Sequence, residues 1–206
     1  MIRIHFTRTL LHEAYDNLTE RAKLDLDFLL LTVAAAVICA LGFKMNSTSV
    51  IVGAMVISPL LYPVICVGAT TYQQDWALLA RATSTFAIGA SAAVAAAAAV
   101  NIFHPASFQS EIADRLAAAP ANYLLVAFFS GIAGTYAFFS PKIHEAIAGI
   151  AISVALIPPV VMLGIALAER SADLFLASGK IVLCNIFGIY FGSFVTVAGL
   201  HWISGR

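Results

Sequence analysis

Six long apolar segments dominate the chain, and short polar stretches separate them. Each is close in length to the run of about 20 apolar residues that crosses a bilayer as one helix. The segments cover residues 28–43, 50–71, 83–103, 123–139, 146–168 and 175–201. This pattern predicts an all-α, polytopic membrane protein in which residues 28–206 form one domain of about six transmembrane helices.

Two polar segments outside these runs carry a weaker helical pattern. Within residues 1–27, which we expect to be cytoplasmic, four residues recur at helical spacing: Leu11, Ala14, Leu18 and Ala22. The spacing predicts an amphipathic N-terminal helix that lies on the membrane, packs against another subunit or is solvated. The connection over residues 104–122 predicts a second, short amphipathic helix at the membrane surface.

Composition agrees with a membrane protein and excludes other classes. Hydrophobic residues make up 61% and charged residues 11% of the chain, whereas soluble domains carry roughly 45–50% apolar and 25% charged residues. The formal net charge is zero, so there is no electrostatic case for binding nucleic acid. Cys39, Cys66 and Cys184 each lie inside an apolar run, which argues against a disulfide or a metal site. We expect no cofactor.

The apolar runs contain no aspartate or glutamate. This weighs against a proton-relay pump, because such pumps place carboxylates within the membrane. The chain also has no HExxH or GxSxG motif, and we therefore predict that it is not an enzyme. A neutral or anionic solute, or a channel-like path lined by backbone and hydroxyl groups, remains compatible with the sequence.

Lysine and arginine positions predict the orientation, because cytoplasmic loops carry an excess of both. With six spans, seven of these residues fall on the side of the N-terminus and three on the opposite side. Lys180 falls within or near the last span. Both termini are therefore predicted to be cytoplasmic.

The two halves of the chain, about residues 28–103 and 123–201, repeat weakly at an offset of 96 residues. The matched pairs are Gly53 with Gly149, Leu60 with Leu156, Pro63 with Pro159, Val64 with Val160, and Gly68 with Gly164. Each half holds three spans, and because three is odd the second half must lie in the membrane inverted relative to the first. Inverted repeats of this kind underlie many secondary transporters. The alternative is chance similarity between apolar runs.

Prolines fall in the middle of the second and fifth spans, Pro59 and Pro63 in one and Pro158 and Pro159 in the other. A proline lacks an N–H and clashes with the preceding turn, so each pair should break its helix and free carbonyl groups. Such breaks occur where backbone is buried in protein or lines a wet cavity. Matched breaks in two repeats predict a binding site near the bilayer midplane, and the alternative is a pair of packing kinks.

Several polar residues have one structural and one functional interpretation. Asn46 and Ser47 either cap the second span or line an entrance, and Ser58 and Ser153 either satisfy freed backbone or bind a solute. Lys180 should extend to the membrane surface. Asn185 is either an interhelical hydrogen-bonding group or a ligand contact. The candidate path residues are Asn46, Ser47, Gly53, Ser58, Pro59, Pro63, Gly149, Ser153, Pro158, Pro159, Lys180 and Asn185.

The same stretches resemble a known family. The residues concerned are Asn46-Ser47, Val52 to Met55, Pro59 to Pro63, Gly149 to Pro159, Gly164 and Cys184-Asn185. Together they resemble the signature of the bacterial family called domain of unknown function 389, over about residues 28–200. The resemblance implies a polytopic protein of the bacterial inner membrane and implies no reaction. Members often carry an extra soluble N-terminal region, whereas this chain has only residues 1–27 there.

Two functions follow from these patterns. The first is a transporter or channel for a small solute or ion, with its site where the two proline breaks meet. The alternative is a structural or regulatory membrane protein that transports nothing. The alanine-rich stretch 90–99 and four glycines favour close helix contacts beyond one protomer, and hence a homo-oligomer. Those glycines are Gly131, Gly134, Gly188 and Gly192.

Overall fold

The computed structural model describes residues 8–104, 120–139 and 156–204, and all regular structure in these ranges is helical. The helices are α1 (Arg8–Arg21), α2 (Leu26–Lys44), α3 (Thr48–Ile57), α4 (Leu61–Gln73), α5 (Trp76–Phe103), α6 (Pro120–Phe139), α7 (Ile157–Glu169) and α8 (Ala172–Ser204). The all-α prediction is therefore confirmed.

Four helices are long and apolar enough to cross a membrane, namely α2, α5, α6 and α8. Helices α3 and α4 together form a fifth candidate span, which is bent by 51°. Helix α7 is apolar but has only 13 residues. The first part of the predicted fifth span, residues 146–155, lies outside the described residues, as does most of the predicted surface helix over 104–122. Membrane insertion follows from the described helices, and a full sixth crossing stays a prediction.

Two opposite ends of the helix bundle are defined by polar and aromatic contacts. At one end, the Lys44 ammonium donates to Asn101 Oδ1 at 2.8 Å, and Asn101 Nδ2 donates to Glu169 Oε1 at 3.4 Å. Helices α2, α5 and α7 therefore end side by side. At the other end, the Tyr72 and His201 rings lie 5.1 Å apart, which brings together the ends of α4 and α8.

Helix α1 packs on the same end as Tyr72 and His201. Ala14 and Leu18 of this helix are buried, as is Ala22 directly after it, as the predicted stripe requires. The Tyr15 hydroxyl donates to the Ala69 carbonyl, and its ring lies 5.5 Å from that of Phe139. The cover for the apolar stripe is therefore this chain's own α4 and α6. None of the three environments considered from the sequence included that intramolecular contact.

Glycines bring α6 and α8 into close contact within the chain. A Cβ built on Gly131 would lie 2.6 Å from the Ile189 carbonyl oxygen, and one built on Gly192 would lie 2.2 Å from that of Phe128. Gly188 is equally restricted, because its Cβ would lie 2.6 Å from that of Ala127. These three glycines are used inside the protomer, contrary to the expectation that they contact another subunit. The homo-oligomer stays a prediction without them.

Candidate functional site

The second span is interrupted between α3 and α4. Ser58 has an extended backbone, and its N–H still donates to the Ala54 carbonyl at 3.2 Å. Pro59 has no N–H to give to the Met55 carbonyl. The Leu60 N–H, which a continuous helix would direct to Val56, donates instead to the Ser58 hydroxyl at 3.4 Å. The break therefore removes the usual donors from two successive carbonyl groups, and the Ser58 side chain satisfies freed backbone.

Helices α4 and α7 correspond to one another at the offset of 96 residues. Both have 13 residues, with prolines in the first turn. Each ends at a residue in the left-handed conformation, Gln74 (φ 60°) and Arg170 (φ 55°). The following residues, Asp75 and Ser171, then accept hydrogen bonds from N–H groups in the first turns of α5 and α8. The boundaries of α4 and α7 therefore match at this offset.

The two half-length helices each cross a helix of the opposite half at a glycine. A Cβ on Gly68 of α4 would lie 2.6 Å from both the Tyr190 carbonyl oxygen and the Ser193 Cβ of α8. A Cβ on Gly164 of α7 would lie 2.3 Å from the Val94 carbonyl oxygen and 2.8 Å from the Ala97 Cβ of α5. The same crossing thus occurs twice. In each case a half-length helix from one half of the chain packs against a long helix from the other half.

The proline turns at the starts of α4 and α7 lie at the same height in the bundle. A Cβ on Gly89 of α5 would lie 3.0 Å from Leu60 Cδ2, so Gly89 marks the height of the first turn. Helices α5 and α7 run in the same direction, and Gly164 crosses α5 near residue 96. Seven residues earlier, about 10 Å back along both helices, Ile157 comes level with Gly89. Both half-helices therefore begin at one level.

Among the residues that the structure describes, a chain of buried hydroxyl groups accompanies only the first crossing. Thr135 of α6 donates to Ser193 Oγ at 2.8 Å, and Ser193 donates to the Ile65 carbonyl of α4 at 2.8 Å. This chain joins three helices that are far apart in sequence. Nothing in the sequence identifies Thr135 or Ser193 as special, because an isolated hydroxyl in an apolar run usually bonds its own helix.

A polar cluster closes the end of the bundle where α2, α5 and α7 meet. Besides its bond to Asn101, Lys44 donates to the His104 carbonyl at 2.6 Å. Three helix C-termini converge there, and each carries a partial negative charge that an ammonium group offsets. This cluster was not predicted from the sequence. Its one signal was Asn101, a polar residue near the end of an otherwise apolar span.

The polar candidates between α2 and α3 form a turn. Asn46 has a left-handed backbone (φ 49°), and its N–H donates to the Phe43 carbonyl at 3.0 Å, which terminates α2. Ser47 occupies the N-cap position of α3, but its side chain makes no capping hydrogen bond. Asn46 therefore follows Met45, the C-cap of the preceding helix, and does not cap α3. Capping of α3 by the Ser47 side chain does not occur in the structure.

The other candidates are divided between buried and exposed positions. Pro59, Pro63, Pro158 and Pro159 are buried. Gly53 is exposed, and a Cβ added to it would have no atom within 4 Å. Lys180 is exposed about 12 Å from the start of α8, and the extension of its side chain to the membrane surface stays a prediction. Asn185 is buried on the same helix. Gly149 and Ser153 lie outside the described residues.

Next to the first proline turn is an apolar groove of about 250 Å³ between α4, α5 and α8. Its lining residues are Val64, Val67, Thr83, Phe86, Ile186, Phe187 and Tyr190. Within the described parts of the chain, no three histidine, cysteine or acidic residues come together as metal ligands would. The chemistry available near the turns is therefore that of carbonyl and hydroxyl groups.

Comparison with known proteins finds one relationship. No curated protein and no solved structure matches the chain. The family model described as Domain of unknown function (DUF389) matches residues 55–191, which is about two thirds of the chain and includes both half-helices. The chain therefore belongs to the DUF389 family.

Proposed function

We propose that this protein is a transporter or channel for a small solute or ion, with its path at the two proline turns. The observation that carries the proposal is the reciprocal crossing of α4 on α8 and of α7 on α5. In transporters built from inverted repeats, discontinuous helices meet at the repeat interface and form the substrate site there. Two half-helices that begin at one level, one from each repeat, are the arrangement such a site requires.

The directions of the helices support an inverted repeat. Helices α2, α5 and α7 end at the face that carries Lys44, whereas α4 and α8 end at the face that carries α1. Corresponding helices of the two halves thus run in opposite directions. We place the α1 face and both termini in the cytoplasm of a bacterium and the Lys44 face outside the inner membrane, from the charge distribution in the sequence.

The alternative, a regulatory or structural membrane protein, has an observation of its own. All four prolines at the turns are buried, and the groove beside the first turn is lined almost entirely by apolar side chains. Burial of this kind is also expected if the two proline turns are packing kinks that bind no solute. The two functions differ in one physical property, which is the access of water to the turns.

Water access can be measured with single cysteines. In a variant lacking Cys39, Cys66 and Cys184, we would introduce Ser58→Cys at the first turn and Ile88→Cys at the same depth on α5. Ile88 is 44% exposed, on the apolar outer surface. A membrane-impermeant thiosulfonate should modify Ser58→Cys and spare Ile88→Cys. Modification should also block flux through proteoliposomes, measured with sodium and potassium salts and small neutral solutes.

The proposal fails if both cysteines stay unmodified and the proteoliposomes are no more permeable than empty vesicles. That result would favour the structural or regulatory role. We also propose that the protein is a homo-oligomer. The oligomeric state can be measured on the same purified protein, and a mass in detergent that corresponds only to the monomer would contradict this proposal.

A further inference from the structure

The apolar groove between α4, α5 and α8 is formed by helices of the candidate spans. One of its lining residues, Phe187 of α8, is 54% exposed, so the groove is open at the outer surface of the helix bundle. In a membrane this surface meets hydrocarbon, because lipid tails surround the spanning helices. The two candidate occupants are therefore a lipid acyl chain and a helix of another protein.

The volume of the groove separates these two occupants. A helix about 10 Å across that rises 1.5 Å per residue takes roughly 120 Å³ for each residue. A groove of about 250 Å³ therefore holds only about two residues of a helix. A methylene group is close in size to a water molecule, which takes roughly 30 Å³, so about eight methylenes of an acyl chain fill the same space. The volume favours the acyl chain.

The polar side chains of the groove lie at one of its ends. Helix α5 begins at the face that carries α1, whereas α4 and α8 end there. Thr83 therefore lies nearer that face than Phe86 does, since both are on α5. On α8, Tyr190 lies nearer it than Ile186. The Thr83 hydroxyl bonds its own helix, but the Tyr190 hydroxyl has no hydrogen-bond partner among the described residues.

This order of polarity matches a phospholipid that enters the groove from the α1 side. The ester groups of a phospholipid accept hydrogen bonds at the membrane interface, and its acyl chains extend toward the middle of the bilayer. Trp76, the first residue of α5, is 67% exposed and lies seven residues before Thr83, about 10 Å along the helix. Exposed tryptophans are enriched at the level of the headgroups. The polar end of the groove therefore points toward the interface.

We propose that this groove holds an acyl chain of a membrane phospholipid, and that the Tyr190 hydroxyl donates to the ester carbonyl of that lipid. Val64, which lines the groove, directly follows Pro63, so the bound chain lies beside the first proline turn. The inference goes beyond the proposed function and depends on membrane insertion alone, because a transporter and a structural protein can both hold such a lipid.

Fluorescence quenching by a lipid with brominated acyl chains tests the site. Both native tryptophans would be replaced by phenylalanine, and one reporter would be introduced, either Phe187→Trp in the groove or Phe129→Trp on α6. Phe129 is 65% exposed, on the helix that packs against the opposite face of α8 through Gly188 and Gly192. In an excess of detergent micelles, a few molecules of dibrominated phosphatidylglycerol per protomer should quench Phe187→Trp and leave Phe129→Trp nearly unchanged. Unbrominated phosphatidylglycerol gives the reference intensity.

Three further variants, each combined with Phe187→Trp, assign the quenching to the groove. Thr83→Phe fills its polar end and should abolish the quenching. Ser84→Phe is the matched control and should leave it intact, because Ser84 is also exposed, lies outside the groove and bonds its own helix in the same way. Tyr190→Phe should require about fivefold more lipid for half-maximal quenching, the loss expected for one hydrogen bond.

The inference is overturned if both reporters are quenched equally, which would indicate only the lipid that surrounds any membrane protein. It is also overturned if Phe187→Trp is quenched at no lipid ratio, as expected when a second copy of this chain covers the groove, or if the quenching survives Thr83→Phe. An unchanged lipid requirement in Tyr190→Phe would refute the ester contact. The two reporters are compared without Thr83→Phe, so poor folding of that variant leaves the test intact.

Discussion

The crossing of α4 on α8 and the crossing of α7 on α5 share a backbone arrangement and differ in side chains. At the first, Ser193 bonds both Thr135 and the Ile65 carbonyl. At the second, Ala97 occupies the position that corresponds to Ser193, and Cys39 corresponds to Thr135; both are fully buried and apolar. Both crossings require a glycine. The first crossing adds a hydrogen-bonded connection between three helices, which the second crossing does not need.

The largest expected effect comes from removing the shared glycines. Gly68→Ala and Gly164→Ala should each lower stability by about 1–3 kcal/mol, because the new Cβ meets backbone atoms that no side-chain rotation can move. Gly53→Ala and Gly199→Ala are the controls, since no atom lies within 4 Å of their Cβ positions. Thermal unfolding and monodispersity in detergent measure the difference. Equal behaviour of all four variants would contradict the close crossings.

The next effect concerns the hydroxyl chain of the first crossing. Ser193→Ala leaves Thr135 without its partner and should cost about 1 kcal/mol. The double variant Thr135→Cys with Ser193→Ala reproduces the residues of the second crossing and should recover part of that loss. A double-mutant cycle by thermal unfolding measures the coupling between the two residues. Additive losses would mean that the hydroxyls act independently.

The helix caps after the two half-helices offer a smaller comparison. Asp75 accepts from the Leu78 N–H at 3.0 Å, whereas Ser171 accepts from the Leu174 N–H at 3.4 Å. Asp75→Ala should therefore cost about 1 kcal/mol and Ser171→Ala less. The readout is again the unfolding temperature, with Asp75→Ser as the conservative variant. A larger loss at Ser171 would show that the hydrogen-bond lengths do not rank the two caps.

The smallest effect is expected when the second crossing receives the hydroxyl of the first. Ala97→Ser adds a hydroxyl at the position that corresponds to Ser193 and should change stability by only about 0.5 kcal/mol, because the new group can bond the carbonyl four residues earlier in α5. Ala96→Ser on the same helix is the control. Strong destabilisation by Ala97→Ser alone would show that the second crossing admits no extra atom.

Much of the helical framework could be predicted from the sequence. Apolar length located the spans, and the Gly–Pro matches gave the offset at which α4 and α7 begin and end. Proline also identified the break at residue 59 correctly, since the missing N–H is a property of one residue. These features depend only on residues that are close together in the chain, and for that reason they can be predicted from one sequence.

Contacts between distant helices could not be predicted in this way. Nothing local distinguishes Ser193, which bonds across 128 residues to Ile65, from Thr196, which bonds its own helix. Gly131 and Gly192 were recognised as contact residues, but the sequence does not say whether the partner is the same chain. The environment of α1 was unknown for the same reason.

At both crossings a helix from one half of the chain packs against a helix from the other half, and this has a consequence for biosynthesis. Helix α4 leaves the ribosome long before its partner on α8, and at 5–20 residues per second the 128 residues between Ile65 and Ser193 take roughly 6–25 s to translate. During that interval the Gly68 surface of α4 has no α8 to pack against. A nascent chain that stops before α8 therefore has an incomplete helix face at this position.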